Sequence, residues 1–263
     1  METINRIQIT SCKGENIMRK KYELVESNKI IFGNVILYRI KALVDIHNIV
    51  KAGELGGYIE SEKNLSHEGN CWAGDGASVY GNAQVSGNAK VYGDAKVSGN
   101  AYVYGDAQVY GDAKVYGNAQ VSGNAKVYND AYIYGDAYVY GDAQVYGDAY
   151  VSGDVQVYDD AQVYGDTYIS GNAKVGKDAL ISSNNDYTTI SGFGRENRTT
   201  TFYLSKNNII MVECGCFHGN LEEFRLAIRR TYVKDGILSP LGDEYMDIAN
   251  LMEKRFKRIL ENR

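Results

Sequence analysis

The sequence predicts a mainly β fold of the solenoid kind, built from stacked coils instead of around one globular core. An aliphatic residue falls at every sixth position from Val79 to Ile181, and an alanine or close substitute precedes each by two residues, from Ala77 to Ala179. Gly-Asn or Gly-Asp pairs punctuate the same period. A fixed count kept over more than a hundred residues marks a repeat architecture, whose chemistry must lie on columns of stacked residues or at its ends.

The unit reads Ala-x-Val-(Tyr/Ser)-Gly-(Asn/Asp), as in Ala83-Gln84-Val85-Ser86-Gly87-Asn88. In an extended segment alternate side chains share a face, so alanine and valine point inward while the other two point out. Gly, Asn and Asp tolerate left-handed backbone angles, so the closing pair turns the chain. Each hexad is therefore one short strand and one corner. Eighteen occur; Val155 and Thr167 replace the alanine, and Asn129, Asp159, Lys177 and Ser183 stand at glycine corners.

This pattern resembles the hexapeptide repeat of left-handed parallel β-helix proteins. The resemblance implies a left-handed triangular coil of three hexads. Eighteen hexads then make about six regular coils, and at ~4.8 Å per strand the regular part is roughly 29 Å tall.

The flanks break the period. In 1–58, Lys21 to Glu26, Lys29 to Phe32 and Val35 to Ala42 alternate polar and apolar residues around Gly33-Asn34, predicting a small β cap. Ile59, Leu65, Cys71 and Ala77 are already six apart, so the solenoid is placed at 59–184. In 185–263, Thr200 to Leu204 and Asn208 to Cys214 read as strands. Asn220 with Glu223 reads as a capping pair for a helix burying Leu221, Phe224, Ile228 and Tyr232. A second helix follows Pro240, with Tyr245, Ile248, Met252, Phe256 and Ile259 on one stripe. The C-terminal part is thus a small α+β domain of two strands and two helices.

Tyr38-Arg39-Ile40-Lys41-Ala42-Leu43, the run from Gly56-Gly57 to Ser66, and Gly215-Cys216-Phe217 followed by Gly219-Asn220-Leu221-Glu222-Glu223-Phe224 carry a second likeness. With the repeat they resemble phage and prophage proteins that join such flanks to a solenoid. That family is often labelled transferase or polymer-forming on fold alone. The likeness implies a phage setting, in the host cytoplasm or in a virion, and little mechanism.

Composition narrows the classes. The chain carries a net charge of −5, and from Cys71 to Asn184 it holds thirteen Asp, six Lys and no Glu. An acidic shaft repels nucleic acid, so no direct binding to it is expected. The charge suits a basic protein surface instead. No apolar run is long enough to cross a bilayer, and Met1 to Arg6 lack the basic region and apolar stretch of a secretion signal. Cys12, Cys71, Cys214 and Cys216 are too few and scattered for a disulfide framework. Cys214, Cys216 and His218 would share one face of a strand, but their spacing is not that of a zinc site. Neither a metal nor another cofactor is expected. Closely stacked corner carboxylates do not supply the six to eight oxygens calcium usually takes, and Gly192-Phe193-Gly194-Arg195 reads as a turn.

Two candidate sites remain. A hexapeptide-type acyltransferase uses a histidine as general base, and only His47, His67 and His218 exist. None lies among the regular hexads, and no insertion interrupts the repeat to enclose a substrate. His67 is the candidate base if the protein is a CoA-dependent transferase with its site at a subunit interface. The second candidate is a surface. With three hexads per coil, Tyr92, Tyr110, Tyr128, Tyr146 and Tyr164 fall in one column, with Asp94, Asp112, Asp130, Asp148 and Asp166 along the adjoining corner. Tyr132, Tyr150 and Tyr168 fall on another face. Such columns either brace the sheet or offer aromatic contact area with a hydroxyl tip. A non-catalytic solenoid is expected, binding a protein through these faces or its C-terminal domain: itself as dimer or trimer, or a host factor, including one of a defence system.

Overall fold

The computed structural model describes residues 20–194 and 198–263. Met1 to Arg6, Cys12 and Arg195 lie outside the described residues. The fold is a parallel β-solenoid with antiparallel sheets at both ends and two C-terminal helices.

Each hexad contributes a two-residue strand, and strands eighteen residues apart pair in parallel, so the coil has three faces. Ser78–Val79 to Tyr168–Ile169 form the first face, Trp72–Ala73 to Leu180–Ile181 the second, and Gln84–Val85 to Lys174–Val175 the third. The second face carries 7 strands, so the shaft makes about seven turns. The turn beyond the six regular coils comes from the irregular lead-in, where Trp72–Ala73 pairs with Lys90–Val91.

Alanine and valine point inward because the pleat alternates, and from Ala77 to Ile181 both columns are completely buried. Burying a valine side chain contributes about 1.5–3 kcal/mol. Thr167, standing in for alanine, remains buried because its hydroxyl donates to the Tyr164 carbonyl at 2.7 Å.

Backbone polarity dictates what each end needs. Every coil donates N–H groups to carbonyls of the following coil, as in Gln108 N to Ala125 O and Tyr110 N to Val127 O, both 2.9 Å. The first coil is therefore left with uncovered carbonyls and the last with uncovered N–H groups. At the first end the Lys21 ammonium donates to the carbonyls of Cys71 at 2.8 Å and Gly69 at 3.3 Å. The Tyr22 hydroxyl donates to Leu65 O at 2.7 Å. At the last end the Thr201 hydroxyl accepts from Lys174 N at 2.9 Å, and the buried Asp186 carboxylate accepts from Ser182 N at 2.8 Å and Ser183 N at 3.0 Å. The last end also needs donors, since a parallel edge exposes both groups: the Tyr187 hydroxyl donates to Tyr168 O and Lys206 N to Asp178 O, both at 2.7 Å.

The strands that bring these groups are short-range structures. Strand β1 (Tyr22–Phe32) pairs antiparallel with β2 (Val35–Ala42) around Gly33-Asn34, with a register shift between Val25 and Lys29. Next, β2 pairs with β3 (Leu55–Ile59), and β3 runs parallel to Ser78–Val79, so the hairpin extends the first face.

The C-terminal sheet has four antiparallel strands, Tyr187–Phe193, Arg198–Leu204, Ile210–Cys214 and Phe217–Asn220. Two were expected. The outer pair, short on alternation, is held by hairpin neighbours, Tyr187–Phe193 by Arg198–Leu204 and Phe217–Asn220 by Ile210–Cys214. Helices α1 (Leu221–Tyr232) and α2 (Pro240–Glu261) cover one face of this sheet. Asn220 and Glu223 form the reciprocal cap at the start of α1, at 2.9 and 2.8 Å. The other face closes the shaft: Tyr203 is buried in the shaft core, and Tyr158 donates to the buried Glu213 carboxylate at 2.5 Å. Among the described residues no helix is long and apolar enough to cross a membrane.

Candidate functional site

Tyr92, Tyr110, Tyr128, Tyr146 and Tyr164 follow the inward aliphatic residues of the second face, so stacking of coils stacks the rings. Successive centroids lie 4.9, 4.9, 4.8 and 5.0 Å apart, with planes 1 to 5° from parallel. That spacing is the strand repeat itself. Each inner ring gives both π-faces to its neighbours, so what the column presents outward is ring edges and phenol oxygens. Burial raises the pKa of Tyr92, Tyr110, Tyr128 and Tyr146, keeping them neutral hydroxyls. Tyr92 and Tyr128 donate sideways to Gln108 and Gln144 on the same face, at 3.3 and 3.4 Å.

The first face carries the second column: Tyr132 stacks on Tyr150 at 4.9 Å and Tyr150 on Tyr168 at 5.5 Å. Lys114 continues it downward, its ammonium donating to the Tyr132 hydroxyl and lying 4.3 Å from that ring's centroid. The Tyr132 contact, more than the fields of Asp112 and Asp130, raises the Lys114 pKa. A third stack, Tyr140 on Tyr158 at 5.4 Å, lies on the third face. Its upper ring, Tyr158, is the one that reaches Glu213.

The corners divide by chemistry. Beyond the first face the Asn82 amide donates to Asn100 at 3.1 Å, Asn100 to Asn118 at 2.9 Å, and Asn118 to Asp136 at 2.8 Å. Beyond the third face Asn88 donates to Asp106 at 3.0 Å and Asn124 to Asp142 at 2.9 Å. An amide has both donor and acceptor and propagates a ladder, whereas a carboxylate only accepts and ends one. The corner beyond the second face is Asp94, Asp112, Asp130, Asp148 and Asp166, all exposed and without a donor among them. Among the described residues no side-chain hydrogen bond links this column, so its carboxylates face solvent beside the tyrosine edges. The asparagine ladders are legible in residues eighteen apart, Asn82, Asn100 and Asn118 being one such line.

His67 sits in the N-terminal cap. Its Nδ1 accepts the backbone N–H of Lys21 at 3.1 Å, which places the ring proton on Nε2. Its ring stacks on Tyr22, 4.3 Å between centroids, and Nε2 lies 3.7 Å from the Glu62 carboxylate. Desolvation lowers its pKa, outweighing Glu62. In this tautomer no lone pair is left to take a substrate proton.

The structure separates Cys214, Cys216 and His218. Alternation turns the Glu213 and His218 side chains toward one another, His218 Nδ1 meeting the Glu213 carboxylate. Cys214, next in line, faces the helices and accepts from the Thr200 hydroxyl at 3.0 Å. The turn at Gly215 is why a shared strand face was the wrong expectation. Among the described residues no cluster of three metal-ligating side chains occurs.

Residues 107–123 and 143–159 match the family described as YdcK Beta solenoid repeat. Both stretches open on the alanine of a second-face hexad, and their starts are thirty-six residues apart, two whole coils. No curated protein matches the chain. The repeat thus resembles that of a β-solenoid family, over part of the shaft.

Proposed function

We propose that this β-solenoid is a non-catalytic binding scaffold, engaging a protein partner through the strip made by the second-face tyrosine edges and the neighbouring aspartates. The observation that carries this reading is the contrast between corners. Two corners ladder along part of the axis, and the third leaves five exposed carboxylates beside a row of neutral phenol hydroxyls. The strip is straight, has one repeat per coil, and offers acceptors and donors side by side. A surface with complementary basic groups at a similar spacing would gain several weak contacts in register.

Self-association is the first partner to test, since flat solenoid faces pack side by side. The phage-type resemblance makes a basic host protein, including a defence factor, the second. The acyltransferase alternative requires a base, and the Lys21 N–H already occupies the one free lone pair of His67.

The test is light scattering of the purified protein, with capture from host lysate, for the native chain and a Tyr110→Ser, Tyr128→Ser, Tyr146→Ser variant. Loss of assembly or of a captured partner, with the circular dichroism spectrum unchanged, supports the proposal. Equal behaviour of the two proteins removes the strip from it.

A further inference from the structure

Where the C-terminal end of α2 meets the last corner of the shaft there is a cavity of about 520 Å³, within the range of ligand sites. Ser183, Asn185 and Asp186 line it from the shaft side, and Arg255, Arg258 and Arg263 from the helix and the residues after it. Arg255 and Arg258 are three residues apart and so share a side of the helix. They flank the buried Met252 and Phe256, which dock α2 on the C-terminal sheet. Arg255 also lines an adjoining hollow of about 270 Å³, together with Tyr168, Tyr187 and Thr189.

Charge in the cavity does not balance. Asp186 is its one carboxylate side chain, and four donors already use it. Oδ2 accepts from Ser182 N and Ser182 Oγ, both at 2.8 Å, and from Ser183 N at 3.0 Å, while Oδ1 accepts from Arg263. Glu253, nearby on α2, is spent on Arg225 and Lys257, at 2.5 and 2.6 Å. Two guanidiniums are left over. Arg258 donates through Nε to Lys254 O at 3.3 Å, and its terminal nitrogens meet no acceptor among the described residues. Arg255 makes no hydrogen bond or ion pair among the described residues: its Nε is buried without an acceptor, and its guanidinium carbon lies 5.7 Å from the centre of the Phe256 ring. Buried donors are nearly always paired, so this group calls for an acceptor that the chain does not supply.

We propose that the cavity binds a phosphate dianion, free or carried as a monoester. Two guanidiniums match its two charges, and each offers a planar fork of N–H donors to its oxygens. The Ser183 hydroxyl, which accepts from Asn185 N at 3.3 Å, keeps its proton for a further oxygen. A monocarboxylate has one charge and two oxygens, and leaves one arginine unmatched. A nucleic-acid backbone is a long line of single charges and would run on to the acidic shaft. The body of a monoester has room in the adjoining hollow, beside Tyr168, the last ring of its column and 45% exposed. This site lies apart from the second-face strip and does not depend on the scaffold reading.

Isothermal titration calorimetry of the full chain at low salt tests it, at about pH 8, where a monoester is a dianion. Inorganic phosphate and phenyl phosphate are titrated, with the singly charged dimethyl phosphate and benzoate as controls. Saturable binding of a dianion is expected, with the controls about tenfold weaker or more. Arg255→Gln and Arg258→Gln should each weaken it about tenfold or more. Arg258 is exposed, so its variant keeps the test valid should Arg255→Gln disturb the helix. Lys254→Gln removes an exposed charge outside the cavity and should change the affinity by about twofold at most. Tighter binding of phenyl phosphate assigns the ligand to a monoester whose body occupies the hollow at Tyr168; equal or tighter binding of inorganic phosphate assigns it to the free ion. No saturable binding of either dianion, or a loss in Lys254→Gln as large as in the two arginine variants, overturns the proposal.

Discussion

At Lys21 an ammonium takes the place of a coil that is not there. The first coil's carbonyls have no preceding N–H groups, and Lys21, only 5% exposed, supplies the donors. Lys21→Met keeps the stem and removes the donors, and is expected to cost about 1–3 kcal/mol, read as a lowered urea midpoint. His67 beside it makes the cap pH-sensitive. Its folded pKa lies below that of a free imidazole, so between the two values the unfolded chain binds more protons. Stability is full above the ordinary imidazole range and is lost as pH falls toward the depressed folded value. Melting temperatures of the native protein from about pH 8 to about pH 5 are expected to fall more steeply than those of His67→Gln, and parallel curves would disprove the coupling. Sequence placed His67 just ahead of the repeat. That its Nδ1 serves Lys21, forty-six residues earlier, was not legible, because nothing local sets that distance.

Among the elements, the hexad was almost wholly legible, since its inward pair, outward pair and corner each follow from nearest-neighbour geometry. The tyrosine ladder followed too, once three hexads per coil were assumed. Corners carry the tightest constraint. At Gly117, φ is +74° and a Cβ would lie 2.9 Å from the backbone nitrogen of Gly135 in the next coil. Asn129 and Asp159 occupy equivalent corners at φ 57° and 53°, residue types that tolerate this region. Gly117→Ala is therefore expected to destabilise the shaft by about 1–2 kcal/mol, and Gly117→Asn by less. Denaturant unfolding of the two variants checks the order, and an alanine variant as stable as the asparagine one would refute it. The flanking strands Tyr187–Phe193 and Phe217–Asn220 were missed because their pairing, not their pattern, makes them strands.

For the whole molecule, coils contact their neighbours only, so stability is close to a sum of coil and interface terms. Removing 107–124 deletes one full coil and leaves both caps and every column in phase. This protein is expected to fold and to keep whatever assembly the native chain shows. Removing 107–112 shifts everything beyond by one face, so that Tyr116 and Tyr134, then Ser152, fall into line above Tyr92. The chain should still fold, with the strip broken at Ser152, and assembly should be lost. Retention of assembly by the second deletion, measured by light scattering, would show that contacts lie elsewhere, as in the C-terminal domain. By itself the sequence determined the hexad and its buried alanine and valine columns, because a short period repeats the same local rules; the three faces, and with them the tyrosine and aspartate lines, came from the family resemblance. Tertiary structure alone decided how the ends are satisfied and where His67 is spent. Those outcomes depend on groups brought together from distant parts of the chain, and no periodicity encodes them.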